Sequence, residues 1–193
     1  MLEPRLKEAQ AGRRVVLFVD AAHFVFGAFL GYLWCCVRFW VKAPCGRQRL
    51  NVLAGLNAIS HELTTISNEG YINAMSVCQL LQAIARRYAG KPITLVLDNA
   101  RYQRCRLVQD LADQLHIELL FLPPYSPNLN LIERFWKFVK KRCLYSQFYA
   151  DFPAFTNAIL DCTKTAHDKH KHELASLLTL NFQTFEEAQL VTV

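Results

Sequence analysis

Val15-Val-Leu-Phe-Val-Asp20 and Ile93-Thr-Leu-Val-Leu-Asp98 are the two stretches of this 193-residue chain that decide its fold. Each is a short run of leucine and β-branched residues, which predicts a strand buried on both faces of a sheet. An aspartate follows each run directly, at the point where the strand would leave the sheet. These stretches therefore predict two core strands with a carboxylate at the end of each.

A third acidic residue lies in Tyr125-Ser-Pro-Asn-Leu-Asn-Leu-Ile-Glu133, where a Pro-Tyr-Ser-Pro turn precedes a helical pattern. The pattern predicts a helix that begins near Leu129 and carries Glu133 in its first turns. Between Asp98 and Glu133 lie 34 residues, enough for one α-β unit and a turn. Because turns and helix dipoles favour single acidic residues at such places, only the ordered set of three points to a shared site.

The pattern along the chain predicts three strands with short connections, followed by a βαβαβ half. Short connections favour antiparallel pairing, whereas helices that bridge strands imply parallel pairing with right-handed crossovers. The predicted elements are strands over Val15–Val19, Tyr32–Val41 and Leu50–Ile59, a helix over Ala74–Tyr88, a strand over Ile93–Leu97, a helix marked by Leu107, Leu111 and Leu115, and a strand over Ile117–Leu122, with helices after it.

An antiparallel meander joined to a parallel βαβαβ half is the plan of a ribonuclease H-like fold. The predicted class is therefore α/β, with a mixed five-stranded sheet flanked by helices. In this plan the Asp20 strand lies beside the Asp98 strand, and the helix of Glu133 reaches the same sheet edge. We expect a polar N-terminal tail over residues 1–14 and one ribonuclease H-like catalytic domain over residues 15–193, with a helical C-terminal part.

The composition is that of a folded, basic protein. Apolar residues make up 52% of the chain and aromatic residues 12%, which argues against intrinsic disorder. A net charge of +6 suits a polyanionic partner. The seven cysteines form no Cys-x-x-Cys pair, the N-terminus has no signal-peptide pattern, and the apolar stretch from Phe24 to Val37 is too short to span a bilayer. A cytoplasmic protein without a membrane segment is expected.

Carboxylates are the ligands expected for divalent-cation chemistry on a phosphodiester. Mg²⁺ is a hard ion that prefers oxygen ligands and takes one or two carboxylates. Two such ions, roughly 3.5–4 Å apart, stabilise both the attacking and the leaving oxygen of an in-line displacement. We therefore expect Asp20, Asp98 and Glu133 to hold two Mg²⁺ or Mn²⁺ ions. Asp98 is the expected bridging ligand, and Asp20 is the alternative.

The segments VDAAHF around Asp20, LVLDNARY around Asp98 and LPPYSPNLNLIERFWKFVKK around Glu133 resemble the catalytic motifs of Asp-Asp-Glu transposases. The resemblance is greatest to the bacterial insertion-sequence branch of the mariner superfamily, in which 34 residues also separate the last two acids. Gly46-Arg-Gln-Arg49 resembles the Gly-Arg-x-Arg segment of that branch. The resemblance implies a DDE superfamily endonuclease that cleaves double-stranded DNA at element ends and transfers the 3′-hydroxyl to target DNA.

The resemblance also implies partners. Members of that branch use Mg²⁺ and act as a homodimer in a synaptic complex with element ends and target DNA. Full-length members begin with helix-turn-helix domains, whereas 14 residues precede the first predicted strand here. An N-terminal helix-turn-helix domain is therefore expected to be absent, and an upstream-encoded helix-turn-helix polypeptide is a candidate partner.

Two basic groups are candidate DNA contacts. Arg134, Lys137 and Lys141 fall on one outer face of the predicted Glu133 helix, beside the acidic residues. Arg47 and Arg49 alternate at the start of a predicted strand, so their side chains lie on one face. Both groups are expected to bind backbone phosphates, which positions DNA without reading its sequence.

The sequence leaves three functions open. The first is a metal-dependent transposase catalytic domain, which the intact set of carboxylates favours. The second is a non-catalytic DNA-binding or partner-binding remnant of a transposase, which the expected lack of an end-recognition domain favours. The third is a structure-selective ribonuclease H-like nuclease, which would share the metal site and differ in substrate.

Overall fold

The structure is a computed structural model, and it describes residues 2–27, 36–37, 48–123 and 129–182. In these ranges the chain forms α1 (Leu2–Gln10), β1 (Val15–Val25), β2 (Arg49–Asn57), β3 (Leu63–Asn68), α2 (Ala74–Arg87), β4 (Ile93–Leu97), α3 (Arg106–Gln114), β5 (Ile117–Phe121), α4 (Leu131–Cys143), α5 (Phe152–Lys169) and α6 (Lys171–Leu177). A 3₁₀ helix over Arg101–Gln103 lies between β4 and α3.

The five strands form one mixed sheet in the order β3-β2-β1-β4-β5. Strand β1 pairs antiparallel with β2, and β2 pairs antiparallel with β3. On its other side β1 pairs parallel with β4, which in turn pairs parallel with β5. This order confirms the predicted ribonuclease H-like fold and places β1 and β4 side by side at the centre.

Helices cover both faces of the sheet and form two hydrophobic layers. Phe18 of β1 faces the layer built with α1, α4, α5 and α6, whereas the adjacent Leu17 faces α2 and α3. Both side chains are fully buried, and burial of a side chain of this size contributes about 1.5–3 kcal/mol. A Cβ at Gly55 of β2 would lie 3.2 Å from Cδ1 of Ile84 in α2, so glycine permits close packing of this helix. The core therefore holds β1 rigidly from both sides.

The predicted strands in the N-terminal half differ from the observed ones. The segment predicted as the third strand, Leu50–Ile59, corresponds to β2 and pairs directly with β1. Strand β3 was not predicted, because Leu63–Asn68 is largely polar and only Thr64 in it is buried. The predicted strand over Tyr32–Val41 lies mostly outside the described residues. In the parallel half, both predicted strands are confirmed to within one residue at their ends.

The expectation of a polar tail over residues 1–14 is wrong for its first part, because Leu2–Gln10 forms α1. Leu6 and Ala9 are buried against the core, and Arg5 pairs with Glu118 of β5 at 2.7 Å. The apolar residues Leu2, Leu6 and Ala9 lie one helical turn apart, a signal that the many charges between them obscured.

No helix in the described ranges combines the length and the apolar character that crossing a bilayer requires.

Candidate metal and DNA site

Asp20 and Asp98 occupy equivalent positions on neighbouring strands. The parallel register pairs Val19 of β1 with Leu97 of β4, and each aspartate is the next residue along the chain. Neighbouring strands lie about 4.8 Å apart, so the two backbones are adjacent at this edge. The side chain of Asp20 is half-buried, whereas that of Asp98 is exposed. The sheet thus brings the two acids together. The prediction that β1 ends before Asp20 is wrong, because β1 continues to Val25 through its pairing with β2, whereas Asp98 does follow the end of β4.

Helix α4 carries Glu133 to the same edge. Asn130, its N-cap residue, donates from Nδ2 to the backbone oxygen of Val19 at 3.4 Å, which ties the helix start to the residue before Asp20. Three residues after Glu133, Nε1 of Trp136 donates to Oδ2 of Asp20 at 3.0 Å. Residues three apart are neighbours on a helix surface. The helix surface that contacts Asp20 therefore also carries Glu133.

Electrostatics link the three carboxylates. Burial, with smaller contributions from the negative charges of Glu133 and Asp98, raises the pKa of Asp20 to about 7. Hydrogen bonds from the backbone of Ala21 and from Trp136 act in the opposite direction. Like charges raise a carboxyl pKa only when they are near it, so the three acids form one electrostatic cluster. A bound cation would relieve this repulsion.

Tyr102 borders this acidic cluster. It lies in the 3₁₀ helix that follows Asp98, after a turn in which Asn99 has a φ of 81° and donates from Nδ2 to the backbone oxygen of Leu122 at 3.0 Å. Burial, followed by the charges of Asp98 and Asp20, raises the pKa of Tyr102 to about 12. Its hydroxyl therefore stays protonated at neutral pH and can donate a hydrogen bond near the carboxylates.

The residue types suit Mg²⁺ or Mn²⁺, since all three are carboxylates, the oxygen ligands that these ions prefer. Within the described part of the chain, no three His, Cys, Asp or Glu side chains converge closely enough to hold one ion as they stand. Asp20 has one carboxylate oxygen on Trp136. The three acids therefore supply suitable oxygen atoms, and their side chains would have to turn toward an ion to coordinate it.

The three basic residues predicted on the Glu133 helix have different surroundings. Lys137 and Lys141 are exposed on α4, four residues apart on one face. Arg134 instead donates from its guanidinium to the backbone oxygens of Thr179 at 2.9 Å and Asn181 at 3.1 Å. These contacts attach the segment after α6 to α4. Two of the three residues thus present their charge to solvent, and Arg134 is engaged within the chain.

The second predicted pair is described only in part. Arg49 begins β2, donates from its guanidinium to the backbone oxygen of Gly70 at 3.1 Å, and lies over the ring of Tyr71, 4.6 Å from the centroid. Arg47 lies outside the described residues.

Sequence reasoning missed the roles of Asn130, Trp136 and Tyr102 at this edge. Trp136 belongs to the buried stripe of α4, and its position three residues after Glu133 is the signal that also places it toward the site. Asn130 occupies the N-cap position of α4, yet its side chain makes no cap hydrogen bond and bonds to β1 instead. Nothing in the sequence pattern distinguished Tyr102 from other turn aromatics.

Solved structures of transposases share this fold. The chain superimposes on a Mos1 transposase paired-end complex with the left transposon end with a TM-score of 0.61 at 16% identity, covering 92% of this chain and 56% of that one. A pre-cleavage Mos1 transpososome gives a TM-score of 0.62 at 17% identity, covering 96% and 60%. The chain therefore spans less than two thirds of these longer relatives. At this level of identity the likeness concerns the fold.

A third structure, the Mos1 transposase catalytic domain with raltegravir and Mn, gives a TM-score of 0.58 at 17% identity, and the match covers 91% of this chain and 86% of that domain. No functionally curated protein matches the chain. The family profile described as "DDE superfamily endonuclease" matches residues 37–156, a range that contains Asp98 and Glu133 and begins after Asp20. Because this match covers more than half of the sequence, the chain belongs to the DDE superfamily endonucleases.

Proposed function

We propose that this protein is the catalytic domain of an insertion-sequence transposase, which cleaves DNA at the element ends and joins the resulting 3′-hydroxyl to target DNA. The observation that carries the proposal is the electrostatic cluster of Asp20, Asp98 and Glu133, in which burial, with a smaller contribution from the neighbouring charges, raises the pKa of Asp20 to about 7. Structural cores seldom gather three acids without a cationic partner, because their repulsion is unfavourable unless a cation is bound.

In this proposal Asp20, Asp98 and Glu133 hold two divalent ions, with Asp98 as the bridging ligand and Asp20 as the alternative. When bound, Mg²⁺ or Mn²⁺ activates the attacking oxygen and stabilises the leaving oxygen of the phosphodiester. Trp136 orients Asp20, and Asn130 fixes the start of α4 against β1.

The chemistry consists of two displacements at phosphorus. In the first, water attacks a phosphodiester at the element end and the bond from phosphorus to the 3′-oxygen breaks, leaving a 3′-hydroxyl and a 5′-phosphate. In the second, that 3′-hydroxyl attacks a target phosphodiester and displaces the 3′-oxygen of the target strand. Both steps have the same in-line geometry, so one set of ligands serves both.

We propose double-stranded DNA, as element end and as target, for the substrate, and a homodimer as the active assembly. Exposed Lys137 and Lys141 lie on the helix of Glu133, where they can contact backbone phosphates beside the acids. Arg49 and Arg47 extend the same role to the start of β2, with Arg134 as a further candidate. One of the similar Mos1 structures is a paired-end complex with the left transposon end, which supports pairing of two copies on two ends.

We further propose that the protein belongs to the bacterial insertion-sequence branch and is cytoplasmic, associated with the nucleoid when it binds DNA. The proposal also includes an upstream-encoded helix-turn-helix polypeptide as the component that recognises the terminal repeats.

The experiment is cleavage of a labelled duplex that carries the end of the encoding element, with Mg²⁺ or Mn²⁺ and with or without any upstream-encoded partner. Metal-dependent nicking that is lost in Asp98→Asn and kept in Asp110→Asn would establish the enzyme. Asp110 is the matched control because it is an exposed aspartate of α3 that pairs with Arg106 of the same helix.

A second candidate function is a non-catalytic DNA-binding module. It is favoured by the absence, among the described residues, of three side chains converged as metal ligands. Salt-sensitive DNA binding that is equal in the wild type and in Asp98→Asn, without cleavage under any condition, would support this alternative. Cleavage that depends on branched or mismatched DNA and ignores the element end would indicate a structure-selective nuclease.

A further inference from the structure

A second surface, away from the acidic cluster, has the features of a nucleotide-binding platform. It consists of Arg49, Asn51, Asn68, Gly70 and Tyr71, and we call it the Tyr71 platform. The strand register brings Asn51 of β2 opposite Asn68 at the end of β3, and Arg49 is two residues before Asn51 on the same face. The ring of Tyr71 is 77% exposed. A single exposed aromatic is ordinary, so the inference depends on what holds it.

The backbone beneath the ring is fixed by three side-chain hydrogen bonds. The oxygen of Gly70 accepts from Nδ2 of Asn51 at 2.7 Å and from the guanidinium of Arg49 at 3.1 Å. The oxygen of Tyr71 accepts from Nδ2 of Asn68 at 3.2 Å. Asn51 is 1% exposed, and its Oδ1 bonds to Nδ1 of His23 at 2.6 Å. A loop held in this way loses little conformational freedom when it binds a ligand.

The platform combines an aromatic face with a fixed positive charge. The guanidinium carbon of Arg49 lies 4.6 Å from the centroid of the Tyr71 ring, a cation–π contact. One side of the ring is therefore occupied by the guanidinium, and most of the ring remains open to solvent. An aromatic ring that can stack on a base, next to a cation that can pair with a phosphate, is the combination that binds unpaired nucleic-acid strands.

The platform also lies within reach of the acidic cluster. In the second half of β1, Asp20 lies opposite Ala54 of β2. Farther along, His23 lies opposite Asn51 and Val25 lies opposite Arg49. A strand rises about 3.4 Å per residue, so these positions lie about 10–17 Å beyond Asp20 along the sheet. Because side chains alternate along a strand, Asn51 and Arg49 leave the opposite face of the sheet from Asp20, so a DNA strand would reach them around the sheet edge. With about 3.4 Å per nucleotide along one strand of a duplex, this separation corresponds to at least roughly three to five nucleotides.

We propose that the Tyr71 platform binds an unpaired nucleotide of the DNA strand that passes through the acidic cluster, with its base stacked on Tyr71 and its phosphate paired with Arg49. The inference rests on the proposed function, because it takes DNA as the substrate. It adds that the strand is opened a few nucleotides from the cut, and it assigns that opened nucleotide to a specific aromatic residue.

The test compares binding of two duplexes of the same sequence, one blunt and one with a short single-stranded tail that carries 2-aminopurine. The full chain is used in EDTA, so that binding is measured apart from cleavage. Stacking on Tyr71 is expected to quench the 2-aminopurine at one tail position. Tyr71→Ala should weaken binding of the tailed duplex roughly tenfold or more and leave the blunt duplex unchanged. Tyr71→Phe, which keeps the ring, should bind both duplexes as the wild type does.

Tyr145→Ala is the matched control, because Tyr145 is also exposed but lies just after α4, away from β2 and β3. It should leave both affinities unchanged. The proposal is overturned if Tyr71→Ala weakens the two duplexes equally or neither, or if the wild type quenches the fluorophore at no tail position. The quenching result needs no variant, so it stands even where a substitution impairs folding.

Cleavage measured in parallel separates this inference from the proposed function. Metal-dependent cleavage by the wild type, with no preference for the tailed duplex, would overturn nucleotide binding by the platform and support the proposed enzymatic function. A preference for the tailed duplex that depends on Tyr71, without cleavage under any condition, would support nucleotide binding by the platform and contradict the proposed enzymatic function. A chain that binds neither duplex would overturn both.

Discussion

Nε1 of Trp136 in α4 donates a hydrogen bond to Oδ2 of Asp20 in β1 at 3.0 Å. This contact joins the helix that carries Glu133 to the central strand of the sheet. It also lowers the pKa of Asp20 against the opposing effects of burial and of the two neighbouring acids. Trp136 is thus a positioning residue: it touches a candidate ligand and holds one oxygen of that ligand in a fixed direction.

Trp136→Phe removes the donor and keeps an aromatic ring. We expect the free energy of unfolding to fall by about 1–3 kcal/mol, because a buried carboxylate loses a hydrogen-bond partner. Mn²⁺ affinity, measured by calorimetry, should also fall, because Asp20 loses its orientation. Phe138→Leu on the same helix is the control for packing, since Phe138 is buried but donates no hydrogen bond. A Trp136→Phe protein that binds Mn²⁺ as tightly as wild type would show that the indole does not position Asp20.

Asp20 makes the stability of the metal-free protein depend on pH. Its pKa is raised from 3.8 to about 7, so the folded state holds a proton that the unfolded state releases. This contribution is complete below pH 4 and is lost as the pH rises through 7, on the order of 2–4 kcal/mol. Denaturant unfolding in EDTA should therefore show falling stability between pH 4 and 7, and Asp20→Asn should abolish most of this fall. If the wild type did not lose more stability than Asp20→Asn between pH 4 and 7, the raised pKa of Asp20 would be contradicted.

Lys137 and Lys141 should contribute to DNA affinity without affecting folding. The double variant Lys137→Ala, Lys141→Ala is expected to weaken binding of all duplexes alike. It should lower the slope of log affinity against log salt by about 1 for each lost phosphate contact. Arg134→Ala is the comparison, because its contacts to Thr179 and Asn181 predict a loss of stability that the lysine variants should not show, whatever it adds to DNA binding. An unchanged salt slope in the double variant would exclude these lysines from the DNA interface.

Helix α1 should contribute to stability, although it is mostly charged. Leu6 is 8% exposed in the core cluster, and Leu6→Ala is expected to lower the free energy of unfolding by about 2 kcal/mol or more. Lys7→Ala, one residue along and exposed, should change it by less than about 0.5 kcal/mol. Equal unfolding midpoints for the two variants would mean that α1 does not dock in solution.

The parallel half of the fold could be predicted because its signals are local. Ile93–Leu97 is an unbroken apolar run, as a strand covered on both faces must be, and it was predicted with its observed limits. Strand β3 could not be predicted in the same way, because Leu63–Asn68 is stabilised by pairing with β2 rather than by burial. The charged helix α1 was missed for the related reason that only one narrow face of it is buried.

The candidate site shows the same division. Asp20, Asp98 and Glu133 could be proposed from sequence, because each acid follows a recognisable apolar run or helix start, although β1 continues past Asp20 to Val25. The hydrogen bond from Trp136 to Asp20 joins residues 116 positions apart, and it depends on how α4 packs on β1, which no local pattern encodes. The engagement of Arg134 by the backbone after α6 was equally hidden, since a helical face of basic residues suggests solvent.

The central claim is that Asp20, Asp98 and Glu133 act together as one metal site. The most direct measurement is the number and affinity of Mn²⁺ ions bound in the presence of duplex DNA, followed by electron paramagnetic resonance. It would compare wild type with Asp20→Asn, Asp98→Asn, Glu133→Gln and the control Asp110→Asn. We predict that each triad variant loses bound Mn²⁺ and that the control matches wild type. Wild-type Mn²⁺ binding in Asp98→Asn and Glu133→Gln would contradict the account.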